Sequence, residues 1–206
     1  MPSSKGKIAV LIEDHFDGTE YRRFNEFFPQ QGYQVDYVSH LWGQPSLTFG
    51  NNPDDGVVDL HATVTTEVNN VKPGDYAGII LIGAYAMDRL RYQEKVKPGQ
   101  PNQAPAVRFL RDAMKQQVPV GTICHSMWLL CADPALLKGR KVTCAHNIIC
   151  DVENAGGEVV YQGDQSADIV VDGNLISGKH PAVVDVFMQT FIQQMEKAPR
   201  AVATSR

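Results

Sequence analysis

Two unbroken apolar stretches constrain this chain more than any other feature. YAGIILIG (76–83) and VPVGTIC (118–124) are apolar almost throughout, yet only of strand length. Such runs, lacking polar alternate positions, suit strands buried on both faces, as in a parallel sheet covered by helices. Around them, strand-length and helix-length segments alternate. KIAVLIED (7–14) reads as a strand, and YRRFNEFFPQQG (21–32) carries Tyr21, Phe24, Phe27 and Phe28 at helical spacing before stopping near Pro29 and Gly32. YQVDYVS (33–39) alternates as a strand with one less-buried face. FGNNPDDG (49–56) marks a loop, and VVDLHATVTTEV (57–68) predicts short extended segments.

Further along, Gln93 to Ala104 lacks periodicity and reads as a surface loop, followed by an amphipathic helix in PAVRFLRDAMKQQ. VPVGTIC runs directly into the helical-looking HSMWLLCAD. KVTCA predicts a strand, NIICDVENAGG a helix ending in glycines, and EVVY a strand. ADIVVDGNLISG predicts a hairpin joined at Asp172-Gly173, and PAVVDVFMQTFIQQMEK a closing helix with proline at its start. The alternation predicts an α/β domain with a mainly parallel sheet and helices on both faces. One domain is expected, with its core over 7–195 and a flexible tail over 197–206.

The 206 residues carry a formal net charge of -4, with Lys and Arg scattered, which argues against a nucleic-acid surface. No apolar run approaches the ~20 residues that span a membrane, and the first residues lack a signal-peptide pattern; a cytoplasmic protein is expected. The four cysteines, Cys124, Cys131, Cys144 and Cys150, include no Cys-x-x-Cys pair, so neither a metal site nor a disulfide framework is expected. Neither G-x-G-x-x-G after the first strand nor a Walker A sequence is present, and no cofactor is expected.

Ligand sites in open α/β sheets lie at the carboxyl ends of the strands. Three such ends carry chemistry. At the end of VPVGTIC, Cys124 stands where a buried strand turns into a helix. A nucleophile elbow of this kind lifts the side chain above the sheet, and a helix N-terminus there favours thiolate. The same position also suits an inert buried cysteine. His125, next in sequence, can serve as a base or simply pack. Glu20, in HFDGTEYRR after the first strand, either completes a capping box with Asp17 or projects into the crevice with Cys124. In IGAYAMDRLR, Gly83 and Ala84 offer backbone amides to an oxyanion, and Asp88 is either an imidazole-orienting acid or a surface residue.

Taken together, the Glu after strand one, the Gly-rich turn followed by an acid and LR, and ICH at an elbow resemble the DJ-1/PfpI superfamily, most closely its PfpI-like branch. LKGRKVTCAHNIICDVENAGGEVV and ADIVVDGNLISGKHPA extend the resemblance over about residues 7–195. It implies a flavodoxin-like three-layer sandwich related to class I glutamine amidotransferases. It also implies Cys124 as nucleophile, Glu20 as the acid hydrogen-bonded to the sulfur, and His125 as the adjacent base. Asp88 falls where such proteins place the acid that orients this histidine across a subunit interface, so a homo-oligomer (dimer or hexamer) is expected.

The chain departs from that pattern at Ala84, in place of a second glycine, at Ser126, and at the bulky Trp128. Trp128, His15 and His180 are candidates to line the substrate pocket. Two functions fit these residues. One is an enzyme acting on a small electrophile, as a glyoxalase or deglycase, an amide or peptide hydrolase, or an isonitrile hydratase. The other is a redox sensor or chaperone with an oxidisable Cys124. The presence of His125 and Asp88, which a sensor does not need, favours the enzyme.

Overall fold

The computed structural model describes residues 4–198. β1 (Gly6–Leu11) leads through α1 (Gly18–Gln30) to β2 (Tyr33–Ser39). A hairpin of β3 (Leu47–Gly50) and β4 (His61–Val64) follows, then the two-residue β5 (Thr66–Glu67). β6 (Gly78–Leu81), the short α2 (Ala86–Leu90) and α3 (Pro105–Lys115) precede β7 (Val120–Ile123). A 3₁₀ turn (Cys124–Met127) opens into α4 (Trp128–Cys131). Next come β8 (Lys141–Val142), α5 (Ile149–Asn154), β9 (Glu158–Val159), β10 (Tyr161–Gln162) and β11 (Gln165–Ser166). The hairpin β12 (Ile169–Asp172) and β13 (Leu175–Gly178) then leads to α6 (Val184–Lys197).

The main sheet has seven strands in the order β12-β13-β7-β6-β1-β2-β5. Every pairing in it is parallel except the β12–β13 hairpin at one edge. The fold is the mainly parallel α/β sandwich expected. Both long apolar runs occupy the middle of the sheet, and all four residues of β6 and of β7 are buried. On one face α1 and α6 pack together through Phe24, Phe28, Phe187 and Phe191, with the Phe28 and Phe191 rings 6.4 Å apart. A Cβ on Gly121 would lie 2.7 Å from Phe187, so glycine in β7 is what lets α6 sit this close. α2, α3 and α4 form the layer over the other face. Among the described residues no helix is long and apolar enough to cross a membrane.

The local differences from expectation have physical causes. β1 stops at Leu11, because Glu13 and Asp14 turn their carboxylates back onto backbone amides. Phe49 and Gly50 belong to β3 rather than to the loop, since the hairpin with β4 pairs them. Pro29 lies inside α1, one residue before its end, where little helix remains to be disturbed. Of the tail expected over 197–206, Lys197 is the last residue of α6; residues 199–206 lie outside the described residues.

Candidate active site

β7 delivers Cys124 to the carboxyl end of the sheet in the left-handed conformation, with φ of 58°. Holding a non-glycine residue there costs about 1–2 kcal/mol, so the surrounding turn has to over-determine it. Ser126 does so. Its fully buried hydroxyl accepts the Ile123 amide at 2.7 Å and lies 2.7 Å from the Thr122 hydroxyl. Serine, which stood out in the sequence as a departure, is therefore the clamp that closes the elbow. The helix expected immediately after Cys124 begins as a 3₁₀ turn, and the α-helix beyond it is only four residues long.

That shortness matters for the thiol. A long aligned helix would favour thiolate, but here other effects dominate. Burial pushes the Cys124 pKa well above its ordinary value, and the nearby Glu20 and Asp17 carboxylates push it further. The His125 and Ala84 amides pull the other way without overcoming burial. The sulfur lies 3.1 Å from His125 Nδ1, and Cys124 is 6 % exposed. Burial also lowers the His125 pKa, with the Asn147 side chain opposing and His146 and His180 adding to the depression. Both shifts favour a neutral thiol beside a neutral imidazole, so the proton moves between them only as the sulfur is drawn into bond formation.

Glu20 sits on the first turn of α1 and is completely buried. Only half of the expected capping box forms: Asp17 Oδ1 accepts the Glu20 amide at 2.9 Å, while the Glu20 carboxyl turns inward. Its Oε2 accepts the Gly83 amide at 2.6 Å, and its Oε1 makes no hydrogen bond, to the sulfur or to anything else. Burial raises the Glu20 pKa well above the usual carboxylate range; the Asp17 charge adds to this and the Gly83 amide opposes it. The carboxyl is thus suited to hold a proton, and in that form it no longer repels a thiolate.

Several expectations need correction. The Gly83 N–H is already committed to Glu20, so it cannot also serve an oxyanion; a Cβ there would lie 2.5 Å from Glu20 Oε1. Ala84, with φ of 55°, lines the crevice beside Cys124 and keeps its place as a candidate donor. Trp128 does not line the crevice. Its ring packs 5.2 Å from that of His125, and its Nε1 donates to Asp151 at 3.0 Å. His15 is exposed beside Asp14 and also lies outside the lining, whereas His180 is part of it. Asp88 is exposed and tied to Arg91 at 2.7 Å, and His125 Nε2 is buried without a partner. Within one chain the acid and the imidazole do not meet.

The crevice above Cys124 encloses about 470 Å³. Its lining includes groups that sequence reasoning passed over: Tyr85, whose ring lies 5.5 Å from that of His125, and the loop residues Asn52, Asp54 and Asp55. FGNNPDDG looks like a plain connector in sequence. Phe16 brings it to the site by bridging to both Asn51 and Ala84. All four cysteines are free; burial pushes the Cys131 and Cys144 thiols up to about 12. A separate cavity of about 310 Å³, lined by Lys5, Lys7, Tyr76 and Pro119, lies at the amino ends of the strands and holds none of the groups described above.

Known proteins resemble this chain over nearly its whole length. An uncharacterized protein of Staphylococcus epidermidis is 28% identical over 193 residues, covering 92% of this chain and 98% of its own. A ThiJ/PfpI domain protein from Brachyspira murdochii superposes with a TM-score of 0.76 at 13% identity, covering 96% of this chain and 99% of the other. A two-domain protein from Anabaena variabilis with DJ-1/ThiJ/PfpI-like and ferritin-like domains gives 0.77 at 22% identity; the match covers 98% of this chain and 52% of that one. The model of the DJ-1/PfpI family matches residues 6–194, and this chain, with its elbow cysteine and buried glutamate, belongs to that family.

Proposed function

We propose that this chain is a cysteine-dependent enzyme acting on a small electrophilic substrate through a covalent Cys124 intermediate. The observation that carries this reading is the 3.1 Å approach of Cys124 Sγ to His125 Nδ1 at the foot of a crevice of small-molecule size. His125 takes the thiol proton as Sγ attacks the substrate carbon; the S–C bond forms and the carbonyl π pair moves onto oxygen. The Ala84 and His125 amides are the donors for that oxyanion. With an amide, the C–N bond then breaks, the amine leaves with the proton held by His125, and water hydrolyses the thioester. With an α-oxoaldehyde, net addition of one water gives the hydroxy acid. Asp88 of a neighbouring copy, in a homo-oligomer, would supply the acid that His125 Nε2 lacks.

One observation favours a second reading. The unpartnered Glu20 Oε1 beside a cysteine whose histidine has no acid in its own chain also suits a redox sensor. There, two equivalents of peroxide would convert the thiol to sulfinate and be reduced to water, with Glu20 donating a hydrogen bond to the product. The test is turnover of methylglyoxal and a panel of small amides by wild type, Cys124→Ser and Asp88→Ala, with intact mass recorded before and after peroxide. Loss of turnover in both variants is expected. No turnover by wild type, with two oxygens added selectively at Cys124, sinks the enzyme reading in favour of the sensor.

A further inference from the structure

A second cavity, of about 330 Å³, adjoins the crevice at His180. Two contacts make the hollows neighbours. His180 belongs to the wall of both. Ala145, which lines the second cavity, donates its amide to the Cys124 carbonyl at 3.3 Å, so this chamber is built directly on the backbone of the nucleophile. The shared residue is held in place: His180 Nδ1 accepts the Ala182 amide at 3.1 Å, capping the turn that leads into α6. In the neutral ring that bond leaves the proton on Nε2.

The polar groups of the chamber are already engaged or solvated. Cys144 and Ala145 are buried in its wall, and the buried Ser166 hydroxyl donates to the Cys144 carbonyl at 3.3 Å. Lys179 is tied to Asp168 at 2.6 Å, while Asp164 and Gln165 are exposed at the lip. The β10–β11 hairpin also carries Tyr161 to the lip, where it is 49 % exposed, and Ile149 completes the apolar lining. An aromatic ring and an aliphatic side chain around a hollow of this size leave apolar surface in water until an apolar group covers it.

We infer that this chamber is a substrate subsite: it takes an apolar, aryl-sized group of the electrophile, which passes His180 while the reactive carbon faces Cys124. The inference rests on Cys124 being the nucleophile, and it gives that reaction a substrate class, electrophiles with an aryl or bulky alkyl substituent. Among the described residues, the chamber's lining holds no buried side-chain donor or acceptor that lacks a partner. A polar substituent would therefore leave water without a matching group, whereas an apolar one gains in proportion to the area it covers. The crevice of about 470 Å³ and the chamber of about 330 Å³ together suit a small molecule with a reactive head and an apolar tail.

Methanethiosulfonates bearing a methyl, a benzyl or a phenylethyl group test this without knowledge of the substrate. Once the thiol proton has passed to His125, Cys124 Sγ attacks the sulfur that bears the substituent. A disulfide forms, and methanesulfinate leaves with the electron pair of the broken S–S bond. Rates at Cys124 are followed by peptide mass spectrometry with fragmentation, which separates it from Cys131, Cys144 and Cys150, and each is divided by the rate with 2-mercaptoethanol. The faster of the two aryl reagents should exceed the methyl reagent by about tenfold in normalised rate. Ala145→Leu, which fills the chamber, and Tyr161→Ala, at an exposed position that the fold does not depend on, should each cut that ratio by roughly threefold. The methyl reagent reports in each variant whether Cys124 is still reactive. A normalised ratio near one in the wild type, with Cys124 modified by the methyl reagent, overturns the subsite and leaves the nucleophile standing. A high ratio that neither variant moves overturns it too, because the apolar preference then belongs to the crevice alone. Failure of all three reagents at Cys124 overturns both the subsite and the nucleophile.

Discussion

The two helix starts that flank the crevice each contribute an acid, and the structure treats them in opposite ways. At the start of α1, Asp17 caps the helix and Glu20 is driven into the interior, gripped by the Gly83 amide. At α2, Asp88 stays in solvent and is tied to Arg91 three residues on, on the same short helix. One acid is positioned by tertiary contacts from another strand end, and the other by its own helix. An acid locked by burial has its protonation set by the fold, whereas an acid at the surface keeps its solvent and is held only by its own helix.

Three changes probe that contrast. The largest effect is expected from Gly83→Ala, whose new Cβ would meet Glu20 Oε1 and force the carboxyl or the strand to move. A stability loss of about 1–3 kcal/mol is expected in chemical denaturation, together with slower alkylation of Cys124. An unchanged midpoint would mean that Glu20 is loosely held.

Next comes pH. Because the folded pKa of Glu20 is raised, the native state holds a proton that the unfolded state has released. Its favourable contribution is full below the ordinary glutamate pKa and is lost as pH rises through the raised value. Wild type should lose stability over that alkaline-going window, and Glu20→Gln should flatten the slope; parallel curves for the two proteins would remove Glu20 as the cause. Burial raises the Asp17 and Cys124 pKa values as well, so a residual slope of the same sign remains in the variant.

The smallest stability effect belongs to Asp88→Ala. An exposed i,i+3 ion pair contributes little, and the midpoint should stay within about 0.5 kcal/mol of wild type. A larger loss would show that Asp88 supports its own chain and is not held in reserve for a neighbour. Read with the turnover assay, an activity loss without a stability loss sharpens the distinction between the two acids.

How much of this was legible beforehand depends on the range of the interaction. The middle strands were readable because an apolar run buried on both faces needs no partner to be recognised; β6 and β7 fall inside the predicted runs. Cys124 was readable because strand, elbow and turn are contiguous in sequence. Ser126 was visible as a departure but not as a clamp, since its acceptor role depends on the turn geometry. Gly83 was misassigned because an amide that points at an oxyanion and one that points at Glu20 look the same in sequence, and 63 residues separate the partners. Trp128 was misplaced for a similar reason, since its indole is held by Asp151, 23 residues on; His15 is exposed, its left-handed backbone (φ of 61°) held by hydrogen bonds with Gly50 and Tyr85 from other parts of the chain.

By itself, then, the sequence determined the α/β class, the order of the central strands' segments and the cysteine at the elbow, because periodicity and local turn chemistry act within a few residues. Only the tertiary structure decided which amides remain free, that Asp88 does not reach His125 within one chain, and that the Asn52–Asp55 loop forms a wall of the crevice. Those outcomes depend on burial and on hydrogen bonds between strand ends far apart along the chain, where each donor can serve one acceptor and the packing chooses which.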